Sequence, residues 1–415
     1  MWGRWSLGRQ FEALWAAYAV SALGTWLAFD AFSLIAIQVL HAGPSAVAGL
    51  TAAGLAVSAI VALPVGPWVE FHRKRPVMIA MDLLRFAILM SLPAAYALGA
   101  LTFVQLLVVV IVVGTADITF TAASGATLKA LVRKEDLLLA NSRFESTTWT
   151  VTMLGPPLGG AAIGLFGPVV TVVANAVSFL LSAAGIRAIG GQEQPPPARP
   201  DGHRLRVADL LEGWRHILTH PMLRPLFCHV LLVNGLIMAG GPLMAVLMLG
   251  ELGFAPWQYG LAFAAPCIGG LIGSRLVSPL VERFGQHSIM LAAGVLRAPW
   301  PIGLALVGPG IRGLVLVVAV ELGLITCCSV FGPVSATIRL NQIPTDLVAR
   351  TLSAWSIGTK ASIAAMTALW GLLAGLTDPR IALAIAGLLM LATPLLLPRG
   401  ERTAEHQEAP VTVHP

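Results

Sequence analysis

Gly66-Pro67-Trp68-Val69-Glu70-Phe71-His72-Arg73-Lys74-Arg75, followed by Asp82-Leu83-Leu84-Arg85, has a second version later in the chain. It reads Ser278-Pro279-Leu280-Val281-Glu282-Arg283-Phe284-Gly285-Gln286-His287, followed by Gly294-Val295-Leu296-Arg297. The two stretches lie 212 positions apart, each between two long apolar runs, and Glu70 precedes Arg85 by 15 positions as Glu282 precedes Arg297. A charged turn that recurs once per half predicts two similar membrane bundles joined in tandem.

Composition points the same way. Hydrophobic residues make up 57% of the 415 positions and charged residues 11%, with a mean hydropathy of +0.82. A soluble domain is about a quarter charged, so this chain has too little polar surface to face water on all sides. Apolar windows fall at residues 12–38, 45–67, 76–98, 102–128, 139–165, 168–189, 222–249, 257–280, 288–307, 314–337, 350–375 and 379–397. Each is long enough for a helix across a hydrocarbon core about 30 Å thick, which takes about 20 residues. The expected fold is an all-α integral membrane protein with twelve transmembrane helices in two pseudo-symmetric six-helix bundles, at 1–189 and 221–398. Internal duplication of this kind marks many secondary transporters. Arg4 and Arg9 precede a run much longer than a signal-peptide core, with no clear small-residue cleavage site, so the first helix is expected to stay in the mature protein.

The net charge of +6 does not point to nucleic acid, because of where the bases sit. Arg73, Lys74, Arg75, Lys129, Arg133, Lys134, Arg187, Arg215, Arg224, Arg283, Arg339 and Arg350 all fall on one side of a twelve-span layout; Arg312 and Arg380 fall on the other. This bias predicts both termini in the cytoplasm of a bacterial-type cell membrane. Cys228, Cys267, Cys327 and Cys328 lie inside apolar windows at spacings that fit no zinc site, so no metal is expected.

Residues 190–220 form a polar cytoplasmic linker that opens on Gly190-Gly191-Gln192-Glu193-Gln194-Pro195-Pro196-Pro197. Further on, Leu210, Leu211, Trp214, Ile217 and Leu218 recur at helical spacing. They predict a short amphipathic helix, either on the membrane surface or serving as a plain connector. The tail at 399–415 is polar and expected to be disordered.

These residues resemble the major facilitator superfamily, whose turn between helices 2 and 3 runs Gly-x-x-x-Asp-Arg-x-Gly-Arg-Lys/Arg. This chain supplies Gly66, Glu70 at the acid position and Lys74 with Arg75 at the basic pair; the second copy supplies Glu282, Arg283 and Gly285. Phe71 stands where the family has Arg, Arg73 where it has Gly, and Ser278 where the second copy would have Gly. The chain is similar to the drug- and siderophore-exporter branch, related to enterobactin and macrolide exporters. The stretches that carry this likeness are Asp82-Leu83-Leu84-Arg85, Glu135-Asp136-Leu137 with Ala140-Asn141, Leu154-Gly155-Pro156-Pro157-Leu158-Gly159-Gly160, Asn175-Ala176-Val177-Ser178-Phe179 and Glu212-Gly213-Trp214-Arg215.

The resemblance implies that the turns latch the cytoplasmic side shut. Glu70 would face the start of helix 11 near Arg350, and Glu282 the start of helix 5 near Asn141. A carboxylate at a helix N-terminus gains about 0.3–1 kcal/mol. The alternative is that Arg73, Lys74 and Arg75 set topology and contact anionic lipid. The family's exporter motif in helix 5 corresponds to Gly155, Pro156, Gly159 and Gly160, expected to bend and pack closely. The resemblance also implies that helices 1, 4, 7 and 10 line the cavity and that 3, 6, 9 and 12 face lipid.

Ionisable groups at membrane depth by default face a cavity or a partner. Here they are Asp30, Asp117, Arg143, Glu145, Arg275, Glu321 and Lys360, joined by His229 and Asn234. Helices 3, 6, 9 and 12 carry charge only near their ends, at Asp82, Arg85, Arg187, Arg297 and Arg380. Asp30 and Asp117 are the first choices for proton coupling, since a carboxyl in a low-dielectric cavity can load and release a proton near neutral pH. Alternatively each acid is permanently paired, Asp117 for instance with Arg143. Glu321 falls in the outer third, where plain solvation competes with function. Lys360 could neutralise an acid or meet an anionic substrate group.

The leading reading is therefore a proton-driven exporter of a small amphipathic molecule, such as a drug, siderophore or secondary metabolite. Its energy would come from the proton gradient, with no cofactor; its partners would be substrate, protons and lipid, and the chain monomeric. The alternative is a transporter-like sensor that has lost transport. An intramembrane enzyme would need clustered acids or a catalytic loop, and Glu135-Asp136 is an isolated pair.

Overall fold

The computed structural model describes residues 7–28, 31–41, 50, 54, 56–58, 60–61, 63–190, 193 and 207–398. Among these every regular element is helical. In the first half α1 is Arg9–Leu27, α2 Ala31–Gln38, α3 Val65–Glu70, α4 Lys74–Ala97, α5 Phe103–Leu131, α6 Leu137–Phe166 and α7 Pro168–Arg187. The linker carries α8, Val207–Thr219. The second half has α9 Leu223–Ala245, α10 Pro256–Ala264, α11 Cys267–Phe284, α12 Gln286–Leu296, α13 Gly310–Gln342, α14 Val348–Leu376 and α15 Pro379–Ala392.

Nine of these stretches are long and apolar enough to cross a bilayer, among the described residues. Eleven of the 23 residues of the window at 45–67 fall outside the described residues. Helix α6 is long enough but carries Arg143, Glu145 and five Ser or Thr side chains in its first half.

The boundaries follow local chemistry. Gly167 and Gly285 adopt φ of 82° and 81°, which a side chain would oppose, and each ends one helix directly before the next. Proline breaks two expected spans: α10 gives way to α11 at Pro266, and α12 is followed by a 3₁₀ segment, Trp300–Leu306, with Pro299 ahead of it and Pro301 inside.

Each half has its own apolar core. Leu89, Leu106, Val109, Val172 and Phe179 pack together in the first, and Val233, Leu247, Val317, Leu383 and Met390 in the second. A further cluster draws on both, joining Phe11, Leu128, Leu137 and Ala140 to Leu340, Ile343, Val348 and Leu352. The seam between the halves is built by α6 against α11 and α13, and by α14 against α3 and α5.

Candidate functional site

Two chambers meet at this seam. One, of about 390 Å³, is lined by Tyr18, Arg85, Asp117, Asn141, Phe179 and Arg339, among others. The other, of about 650 Å³, is lined by Glu145, Trp149, Asn234, Arg297, Glu321 and Arg339, among others. Arg339 lines both.

The first chamber is electrostatically paired. Arg85 is buried on α4, donates to Asp82 one turn earlier, and stacks over Phe120 at 4.7 Å and Phe179 at 4.1 Å. Asp117 on α5 has its Oδ1 3.8 Å from Arg85 and its Oδ2 3.0 Å from Lys360 of α14, across the seam. Arg143, suggested by the sequence as a partner for Asp117, instead meets Glu12 at 2.5 Å. The helix packed on this part of α6 is α1, which brings Glu12, Phe11 and Trp15 to the guanidinium. Asp30 lies outside the described residues.

The second chamber holds both acids and arginines, and they form no ion pairs with one another. Glu145 accepts a hydrogen bond from Trp149 Nε1 at 2.9 Å, one turn along α6. Its carboxylate lies against Gly332 of α13, where a Cβ would come within 3.1 Å of it. Glu321, expected near the outer rim, is 9% exposed and lines the chamber. No ion pair among the described residues involves either acid.

Arg297 corrects a second expectation. Its helix, like that of Arg85, was read as lipid-facing with charge confined to the ends, yet both guanidinium groups are buried and line a chamber. Arg297 donates to His229 Nε2 at 2.5 Å and stacks over Phe331 at 3.8 Å. His229 Nδ1 in turn donates to the Thr393 carbonyl at 2.9 Å, which fixes the tautomer that presents Nε2 as acceptor. Arg275 is exposed on α11.

The end of the bundle that carries the basic turns is closed. Glu70, 5% exposed, lies 2.5 Å from Arg350 Nε at the start of α14, and Arg350 also pairs with Glu212 of α8. Burial pushes the Glu70 carboxyl up to about 7, against the opposing pull of Arg350. Two glycines let the backbones approach: a Cβ at Gly66 would meet the Arg350 Cα at 3.0 Å, and one at Gly213 the Arg350 carbonyl oxygen at 2.5 Å. The linker helix is thus seated on protein, against α14 and α9. Two further bonds cross the seam here, from Lys129 to the Ile343 carbonyl and from Asn141 to Thr337 Oγ1 at 2.9 Å.

Lys74 and Arg75 hold the turn itself. Lys74 Nζ donates to the carbonyls of Val69, Glu70 and His72, and Arg75 Nη1 to those of Ile189 and Gly190. The Glu193 carboxylate accepts from the backbone N–H groups of Lys74 and Arg75, capping α4. The second copy behaves differently. Glu282 and Arg283 are exposed, Arg283 lies over Phe284 at 5.3 Å, and Glu282 does not reach the start of α6, where the Asn141 amide is engaged by Thr337 and the Leu137 carbonyl.

The helix-5 motif does not interrupt its helix; α6 runs unbroken through it for 30 residues. Gly155 and Gly159 give close approach to α1, where added Cβ atoms would lie 2.4 Å from Trp26 Cβ and 2.3 Å from the Leu27 carbonyl oxygen. Gly160 faces open space, and Pro156 belongs to the same continuous helix.

Reasoning from sequence missed Glu12, Glu212, Arg297 and Arg339 as site residues. For Arg297 the signal was present, since it occupies the position of Arg85 in the repeat. Arg339 read as a topology marker near a helix end.

The sequence profile described as Major Facilitator Superfamily matches residues 14–326 and 241–413. The multidrug efflux pump Tap of Mycolicibacterium fortuitum is 25% identical over 404 residues, 93% of this chain and 95% of that protein. An uncharacterized MFS-type transporter of Bacillus subtilis (strain 168), YvqJ, is 24% identical over 294 residues, 69% of this chain and 68% of its own. Among solved structures, a bacterial homologue of the iron transporter ferroportin in an outward-facing state superposes with a TM-score of 0.77 at 17% identity, covering 94% of this chain and 98% of that one. The human organic anion transporter MFSD10 (TETRAN) gives 0.73 at 14% identity, covering 93% and 99%. At these identities the structural likenesses establish the fold.

Proposed function

We propose that this chain, which belongs to the Major Facilitator Superfamily, is a proton-coupled exporter of small amphipathic molecules that works by alternating access at the seam. The observation that carries the reading is the second chamber: apolar and aromatic walls enclose Glu145 and Glu321, acids with no basic partner within ion-pair distance. An ionised carboxylate without a counter-charge is costly in a low-dielectric site, so each acid is poised to exchange a proton with the chamber. Glu145 is the better placed, because it stands on α6 of one half against Gly332 of the other. A change in its charge alters the fit of the two halves directly.

Asp117 then has a different part. It ties α5 to α14 through Lys360 and is held by Arg85, so its charge is matched in this state. Opening the seam breaks the Lys360 contact, and Asp117 becomes free to take a proton or a cationic group. Asp30 belongs with it as a second coupling site in the first half. The basic end faces the cytoplasm of the cell membrane, and Glu70, Arg350 and Glu212 close it. Export of drug-like compounds is supported by the full-length likeness to a multidrug efflux pump.

The test is reconstitution into liposomes with a panel of lipophilic fluorescent dyes, cationic, neutral and anionic, as the cargo and an imposed pH gradient. At least one dye should move against its concentration gradient in exchange for protons and stop when the gradient is collapsed. Movement that ignores the pH gradient would end the coupled reading.

A further inference from the structure

Two arginines in the larger chamber form no ion pair with its acids. Arg339 and Arg297 both line it, each keeps a buried Nε with no hydrogen-bond partner, and no ion pair among the described residues involves either. Their neighbours are neutral. Arg339 lies over the Trp355 ring at 4.6 Å, and Arg297 is held by His229 and Phe331. Arg85, the repeat counterpart of Arg297, instead has Asp82 and Asp117. A cation kept in a low-dielectric cavity without a counter-ion is destabilising unless something anionic joins it, and ring stacking offsets only part of that cost.

Arg339 is the more accessible of the two, since it lines both chambers. The Glu145 carboxylate sits against Gly332, seven positions earlier on α13, or about 10 Å along the helix axis. The chamber's acid and its unpaired base are therefore separated by roughly the length of a small organic molecule.

We infer that the substrate carries an acidic group, a carboxylate, sulfonate or phosphate on an apolar body. That group docks on Arg339, with Arg297 as the second cation of the chamber. The inference rests on the transport reading and narrows its substrate class to amphipathic acids. The apolar body lies along Trp149, Phe331 and the aliphatic wall, and the guanidinium fork takes the anion in two parallel hydrogen bonds.

The test uses the purified full-length chain and a matched set of probes: a dansylated medium-chain fatty acid, its carboxamide and its amine. Binding is read as energy transfer from tryptophan to dansyl. The acid should bind about tenfold tighter than the carboxamide, the scale of one charged contact in a desolvated site. Arg339→Gln should remove that preference while leaving carboxamide binding unchanged, and Arg339→Lys should keep part of it. Equal binding of acid and carboxamide to the unaltered protein would overturn the inference, and so would an acid preference that survives Arg339→Gln. The comparison within the unaltered protein decides the matter even if the variant does not fold.

The anion could come from a free acid or from a lipid headgroup. Phosphatidylglycerol added to the same titration displaces the fatty acid if the site takes lipid, and leaves it bound if the site takes a free acid; the acid preference is expected in both. Binding is measured without a gradient, so a failure of gradient-driven dye transport and a failure of acid selectivity are separate results.

Discussion

Arg85 and Arg297 stand 212 positions apart, and each stacks over a phenylalanine of the following span, Phe120 at 4.7 Å and Phe331 at 3.8 Å. The duplication seen in the two turns therefore continues into the chambers, but the charge environment does not. Arg85 has Asp82 one turn before it, while the matching position in the second half is Gly294, against which Leu397 packs. The loss of that acid converts a neutralised arginine into an unneutralised one.

Glu70 should make closure of the basic end pH-dependent. Its carboxyl is raised from an ordinary 4.5 to about 7 by burial, opposed by Arg350, with Asp346 raising it further and Lys74 lowering it. A carboxyl raised in the closed state binds its proton more tightly there than in an open, solvated state. Its contribution to closure is therefore fully present below about 4.5 and is lost as pH rises through about 7. Labelling of a cysteine placed at Ala336 from the basic end, with each rate divided by that of a free thiol at the same pH, should rise between pH 5 and pH 8 in the parent protein (on the order of severalfold), and Glu70→Gln should flatten that rise.

Arg350→Met should weaken the closed end more than either acid substitution alone. It strips both Glu70 and Glu212 of their partner, and a buried charge left unpaired costs about 3–5 kcal/mol. Thermal unfolding in detergent should show the loss. The double variant Glu70→Leu with Arg350→Met should recover much of it, because no uncompensated charge is left at Glu70.

Lys360→Met should change transport without changing stability much. Asp117 is 51% exposed in its side chain, so its pair with Lys360 is worth about 1 kcal/mol or less. A fall in dye transport with a melting temperature close to that of the parent protein is the expected pattern. A large loss of stability would assign the pair to structure.

Gly213→Ala should unseat the linker helix. The added methyl would lie 2.5 Å from the Arg350 carbonyl oxygen, and backbone cannot yield as a flexible side chain can. Overpacking of this kind costs about 1–3 kcal/mol. Proteolysis within the linker should accelerate, whereas Gly160→Ala, which meets open space, should leave it unchanged.

Much of the fold was legible because hydrophobic runs and the repeated turn are chain-local signals. The spans reveal themselves by length, and the turn by its fixed spacing. Partner identity is not chain-local. Asp117 could be placed on a cavity-facing span, but whether Arg143 or Lys360 would meet it depends on which helix packs beside α5. The second copy of the turn keeps Glu282 next to Arg283, a pairing the first copy lacks, yet both are exposed. The degenerate first copy is the one whose acid is buried on Arg350. Motif quality did not rank the two turns, because the deciding feature is the basic residue on the opposite half. Arg339 misled for a related reason: near the end of a 33-residue helix, a base that marks topology and one that lines a cavity look the same.

The central claim is that proton exchange at Glu145 drives movement across the seam. Its most direct measurement is transport of the accumulated dye in liposomes under an imposed pH gradient, comparing the parent protein with Glu145→Gln. The variant should fold, bind the dye and let it equilibrate, but should not accumulate it against its gradient. Accumulation by Glu145→Gln equal to that of the parent protein would contradict the account.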